Sequence, residues 1–178
     1  LTANVTNGLP TADDCSTQIS YSNASPYADE NGADASGNYP LGETVIQFIV
    51  NDGCNNNTSC TTTVTVADTE APSIACILGL TATLMNDGNG GGMAMLDASA
   101  LVASATDNCT STPLLKIAIS RPGDGSTGVP TATIVNFDCY DANIAAEVTV
   151  WATDLANNSS SCTTVVIVQD HNDFCQEQ

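Results

Sequence analysis

The chain has 178 residues and a formal net charge of −18, from 20 acidic side chains against two basic ones, Lys116 and Arg121. That balance excludes nucleic acid as a partner, because no basic patch can offset its phosphates, and it disfavours anionic lipid surfaces. No run approaches the roughly 18 apolar residues needed to cross a bilayer, so no membrane insertion is expected. Apolar residues make up 42 % of the chain but aromatics only 4 %. A core must therefore be built from Val, Ile, Leu and Ala, and clusters of branched side chains favour strands.

Residues 1–10, LTANVTNGLP, open directly into polar sequence, so the chain is expected to be a processed product or a fragment. An acidic turn ending in cysteine, TADDC (11–15), comes next. Tyr21, Tyr27 and Tyr39 fall in an irregular polar stretch and are candidates for contact with glycans or a neighbouring subunit. Residues 46–68, IQFIVNDGCNNNTSCTTTVTVAD, read as a β-hairpin. Ile46, Phe48 and Val50 share one face of its first strand. In its second strand Val64 and Val66 point inward while Thr63 and Thr65 point out.

Pro72, within ADTEAPSIAC (67–76), sets off an extended linker that leads into the opening strand of a second unit. A Gly-rich turn at 86–92 and another strand follow, and ATDNC (105–109) repeats the acidic-Cys turn. Residues 148–170, VTVWATDLANNSSSCTTVVIVQD, repeat the hairpin. Trp151 in its first strand is expected at the core or edge of a sandwich rather than as a sugar-stacking platform. The segment HNDFCQEQ (171–178) is left over.

The order is thus the same twice: acidic-Cys turn, variable middle, hairpin with cysteine, closing Asp. The landmarks are carried by YPLGETVIQFIVNDG (39–53), SCTTTVTVADTEAPSIAC (59–76), ATDNC (105–109) and NFDCYDANIAAEVTVWATDLANNSSSCTTVVIVQD (136–170). The pattern resembles the hyalin-repeat (HYR) family and related bacterial extracellular immunoglobulin-like repeats. That resemblance implies tandem β-sandwiches in cell-surface, adhesive or matrix proteins, without catalysis. Two departures stand out: FDC (137–139) replaces the YPLG of the first copy, and the first copy has no opening strand with its cysteine. The expected fold is all-β, with two tandem, disulfide-stapled immunoglobulin-like β-sandwich domains. Domain 1 spans 1–68 and is short of its first strand; domain 2 spans 69–170; the tail 171–178 is a candidate donor strand.

Eight cysteines at long spacings, with a single His, argue for disulfides in an oxidising compartment rather than zinc. The repeat suggests Cys15–Cys60 and Cys109–Cys162, with Cys76–Cys139, leaving Cys54 and Cys175 for a bond between subunits. The rival is Cys15–Cys54, with Cys60 left for Cys175.

Calcium needs six to eight oxygens. Asp68 and Glu70 in the linker, with Asp170 and Asp173 at the chain end, are the candidate ligands, and the loop acids Asp13, Asp14, Asp52, Asp107 and Asp154 could join them. Asp87 in the Gly-rich loop is a weaker candidate. Glycosylation sequons start at Asn4, Asn23, Asn56, Asn57, Asn108, Asn157 and Asn158. Catalysis is not expected: the lone His171 lies in the tail, no free thiol is anticipated, and no phosphate-cradling loop is present.

The function expected is that of a secreted structural subunit in an extracellular filament or surface array. The tail of one copy would complete domain 1 of the next, making a homopolymer. The alternative is a binding module of a cell-surface adhesin that recognises carbohydrate or protein.

Overall fold

The computed structural model describes residues 2–6, 10–12, 18–125 and 128–175. All regular structure among them is β, apart from three short 3-10 turns, and no α-helix occurs. The chain divides into two compact units, Leu1–Asp68 and Thr69–Gln178.

Among its described residues unit 1 holds five strands: β1 (Thr2–Val5), β2 (Ser20–Asn23), β3 (Gly37–Pro40), β4 (Gly42–Asn51) and β5 (Asn57–Val66). One sheet pairs β1 with β3, and the other runs β2-β4-β5. Between β3 and β4 the chain passes from one sheet to the other through Gly42, whose φ of +105° suits glycine alone. Ile46, Phe48 and Val64 face inward with Ala35 and Tyr39 to form a small core. Tyr39 is fully buried, so its hydroxyl must find partners. It donates to the Ala35 carbonyl and accepts from Ser25 Oγ at 3.2 Å. Gly37 is required by space: a Cβ there would stand 2.0 Å from the Tyr27 carbonyl oxygen.

Among its described residues unit 2 holds nine strands: β6 (Ser73–Cys76), β7 (Leu80–Thr83), β8 (Met85–Asn86), β9 (Gly92–Asp97), β10 (Val102–Thr106), β11 (Lys116–Ser120), β12 (Ile134–Asp138), β13 (Ala145–Thr153) and β14 (Ser159–Gln169). The sheet β11-β13-β14-β7 faces β12-β9-β8, and β6 pairs separately with β10. Strict alternation on β13 and β14 buries Ala146, Val148, Val150, Val166 and Val168. They meet Leu84, Ala94, Leu101, Ile119, Val135 and Phe137 in one core. Arg121 is held at its edge by a forked ion pair to the buried Asp141, and its guanidinium lies 5.2 Å from the Phe137 ring centre. That guanidinium holds the Asp141 carboxyl below the usual carboxylate range, chiefly by hydrogen bonding.

Both expected hairpins form, as β4–β5 and β13–β14, and their cross-strand register is the same: Phe48 faces Cys60 as Val150 faces Cys162. The expectation that domain 1 is short of its first strand needs refining. Residues 2–5 do form a strand, β1, which pairs with β3 as β9 pairs with β12. What unit 1 lacks among its described residues is any counterpart of β6 and β7.

Candidate functional site

The two hairpin loops are built alike. Asp52 N–H donates to the Asn56 carbonyl at 3.2 Å, and Asp154 N–H donates to the Asn158 carbonyl at 3.0 Å. Each Asp carboxylate in turn accepts from the backbone N–H and the side-chain amide of that Asn. Asn55 and Asn157 supply the left-handed residue that the tight loop needs, at φ of +72° and +70°. The Asn56 amide and the backbone N–H of Cys54 keep the Asp52 carboxyl below its ordinary range.

These loops launch β5 and β14, and there the two units part. On β14, Ser160, Cys162 and Thr164 occupy alternate positions of the face that turns toward the core. Together they hold the opening segment of unit 2. Ser160 Oγ donates to the Pro72 carbonyl, Cys162 is bridged to Cys76, and Thr164 Oγ1 donates to the Ile77 carbonyl at 2.7 Å. The chain then turns, and β7 adds parallel to the far end of β14, with Leu80 opposite Val166 and Thr83 opposite Gln169.

On β5 the corresponding residues are Thr58, Cys60 and Thr62: hydroxyl, thiol, hydroxyl again. They share a face with the buried Phe48 and Ile46 across the register. All three are nevertheless exposed, and Cys60 is a free thiol. β5 ends its sheet with no strand beyond it among the described residues. The part of this inward-type face that holds Thr58, Cys60 and Thr62 is therefore exposed, while Ile46, Phe48 and Val64 beside it are buried.

The disulfides differ from those expected. Cys76 bonds Cys162 rather than Cys139, and Cys139 bonds Cys175. The strand register explains why Cys109 does not reach Cys162. Cys109 lies beyond Thr106, which pairs with Ser73, and Ser73 is three residues, about 10 Å, along the strand from Cys76. Cys175 is closed onto its own unit, so neither Cys54–Cys175 nor Cys60–Cys175 forms here. The Phe174 and Cys175 backbone N–H groups donate to the Asp170 carboxylate, and the tail makes a turn rather than a strand up to Cys175. Gly92 makes room for it, since a Cβ there would stand 3.1 Å from Cys175 Sγ. Contrary to the expectation that every thiol would be bonded, Cys54 and Cys60 are both exposed thiols. Asp13, Asp14 and Cys15 lie outside the described residues.

Asp154 and Asp170 stand at opposite ends of β14, roughly 35 Å apart along the strand, and Asp52 and Asp68 likewise flank β5. Asp154 is fully buried and its oxygens are taken by Asn158. Asp107 is different. Its Oδ2 accepts from the Cys109 and Thr110 N–H groups, while its Oδ1 is buried and finds no donor among the described residues. Glu70 is tied to the same turn, accepting from Asn108 Nδ2 at 3.1 Å. Asp87 accepts from the backbone of its own loop, and Asp173 lies exposed in the tail turn.

The sequons divide similarly. Asn23 is buried, with its amide donating to the carbonyls of Glu30, Gly32 and Asp34, so it is not open to a glycan. The Asn56 and Asn158 amides are committed to the loop aspartates. Asn4, Asn57, and Asn157 are exposed. Trp151 is neither core nor edge: it sits half-buried in β13, between β11 and β14, on the sheet face opposite the buried Val150 and Ala152, with its indole N–H donating to Ser120 Oγ at 3.2 Å. The Thr58–Cys60–Thr62 row was present in the sequence as a match to Ser160–Cys162–Thr164, but its meaning required knowing what the second row holds.

No family model matches this chain, and no curated protein does. Among solved structures it is similar to four cadherin repeats of protocadherin gamma B3, at 17 % identity and a TM-score of 0.37, over 87 % of this chain and 42 % of that one. It is also similar to five such domains of protocadherin gamma B2 (14 %, TM-score 0.36, 87 % and 34 %) and to the human desmocollin-1 ectodomain (16 %, TM-score 0.32, 87 % and 34 %). The chain thus spans less than half the length of each structure it matches.

Proposed function

We propose that this chain is a non-catalytic, extracellular structural module that joins its neighbours by strand addition at the open edge of β5, forming a filament or surface array. One observation carries the reading. The hairpins β4–β5 and β13–β14 share register and loop chemistry, yet among the described residues only β14 has its outer edge covered by a parallel strand. An uncovered edge of this kind is a template for another strand. A contact that uses different surfaces on the two partners propagates from copy to copy wherever its rotation does not close a ring. Two disulfides support an oxidising, extracellular setting. Calcium would be held at Asp107, whose Oδ1 lacks a donor among the described residues, and would stiffen that end of unit 2.

The test is electron microscopy and sedimentation of purified protein at rising concentration, beside Thr65→Glu. Thr65 is exposed on β5, so the charge leaves the core intact while burdening the edge. Polymers that grow with concentration and are lost in the variant are expected. Polymers undiminished in the variant, or none at any concentration, would sink the reading.

A second reading, a carbohydrate-binding adhesin module, is favoured by the open cleft of about 510 Å³ that Trp151 shares with Ser120, Arg121 and Asp124. Its mark would be monomers that bind a glycan array and lose binding on Trp151→Ala.

A further inference from the structure

Strand addition leaves open what the incoming strand must look like, and the second unit answers that in detail. In unit 2 the segment seated against the Ser160–Cys162–Thr164 row offers the Pro72 carbonyl to the serine, the Cys76 sulfur to the cysteine and the Ile77 carbonyl to the threonine. Between them Ile74 packs against the core. The row in unit 1 keeps the same chemistry at the same register, and its thiol is unbonded. This is more than an isolated cysteine, because the three matching positions all engage a strand where one is present.

We infer that Thr58, Cys60 and Thr62 form a covalent acceptor for a strand of the opening type. Such a strand is extended, carries a cysteine with an apolar residue two positions before it, and is locked to Cys60 by a disulfide. The inference rests on strand addition at β5 and names the chemistry of the segment that would lead into the added strand, since in unit 2 the segment held by the row pairs with β10 and the β7 that follows it takes the β14 edge. Ala71–Leu78, APSIACIL, is the pattern such a strand follows. The chain's own tail fits it poorly. The residue two before Cys175 is Asp173, and Cys175 is already bonded to Cys139. In closing the latch, the two thiols lose two protons and two electrons to a low-molecular-weight disulfide, which leaves as two thiols. Cys54 has no part in it. It sits in the hairpin loop, and the matching position in unit 2 is Ala156.

The probe is a synthetic APSIACIL peptide whose cysteine is activated as a mixed disulfide with thionitrobenzoate. Attack by a protein thiolate on the peptide sulfur releases the coloured thiolate, and peptide mapping locates the new bond. On native protein, capture at Cys60 is expected to run at least tenfold faster than at Cys54. Thr58→Ala with Thr62→Ala, or a peptide with its isoleucines replaced by Asp, should erase most of that preference. In urea the two thiols should react alike. Equal rates at Cys54 and Cys60 in the native state would overturn the inference, as would a preference that survives unfolding or the threonine substitutions. A Cys60–Cys175 link between wild-type molecules would overturn the assigned strand chemistry in favour of the tail. The two readings separate cleanly: polymers that persist in Cys60→Ser leave the filament standing and remove the latch, whereas selective capture by a protein that never polymerises does the reverse.

Discussion

Asp141 shows how one buried charge is kept. It accepts both arms of the Arg121 guanidinium and the Asp138 backbone N–H, beside the Phe137 ring. Hydrogen bonds to charged partners of this kind are worth about 2–3 kcal/mol when broken. Asp141→Asn should lower the stability of unit 2 by about that amount at neutral pH. The sign with pH follows from the depressed carboxyl. The ionised form is favoured by the fold, so the contribution is complete above the ordinary Asp value of 3.8 and fades as pH falls through the lower folded value. Urea midpoints of wild type and Asp141→Asn should therefore converge below about pH 4. A gap that stays constant to pH 2 would mean that shape, not charge, is what the substitution removes.

At the scale of elements, the comparison between β5 and β14 makes an asymmetric prediction for two matched cysteines. Cys76–Cys162 closes a loop of 86 residues, for which the restriction of the unfolded chain corresponds to roughly 4–5 kcal/mol. Cys162→Ser should cost unit 2 on that order, while Cys60→Ser, which breaks no bond, should leave the stability of unit 1 within about 0.5 kcal/mol. Calorimetry of the two variants checks this. A large loss in Cys60→Ser would mean that Cys60 already has a partner. The hairpins and their inward faces were legible in sequence, because period-2 alternation and Asn-rich turns are local signals. The bridges were not. Pairing by matched landmarks assumed that repeated cysteines play repeated roles, whereas Cys162 is claimed by β6, a strand for which unit 1 shows no counterpart among its described residues. Within each hairpin the closing acid and the loop acid are separated by the whole length of a strand, so those two do not share a site.

For the whole molecule, the placement of the two bridges decides how a pull along the chain would be borne. Tension passing between Cys76 and Cys175 can cross directly to Cys162, so only the stretch from Cys162 to Cys175 would need to straighten, roughly 45 Å at full reach. Without the bridges the same anchor points could separate by roughly 340 Å. Single-molecule stretching of unit 2 should show a short extension in oxidising buffer and a several-fold longer one after reduction; equal lengths in both would show that the bonds do not carry the load. Nearly all of β7 to β13 lies inside the shielded loop, so a subunit pulled from both ends would hold its sandwich as a knot holds, tightening around slack that force cannot reach.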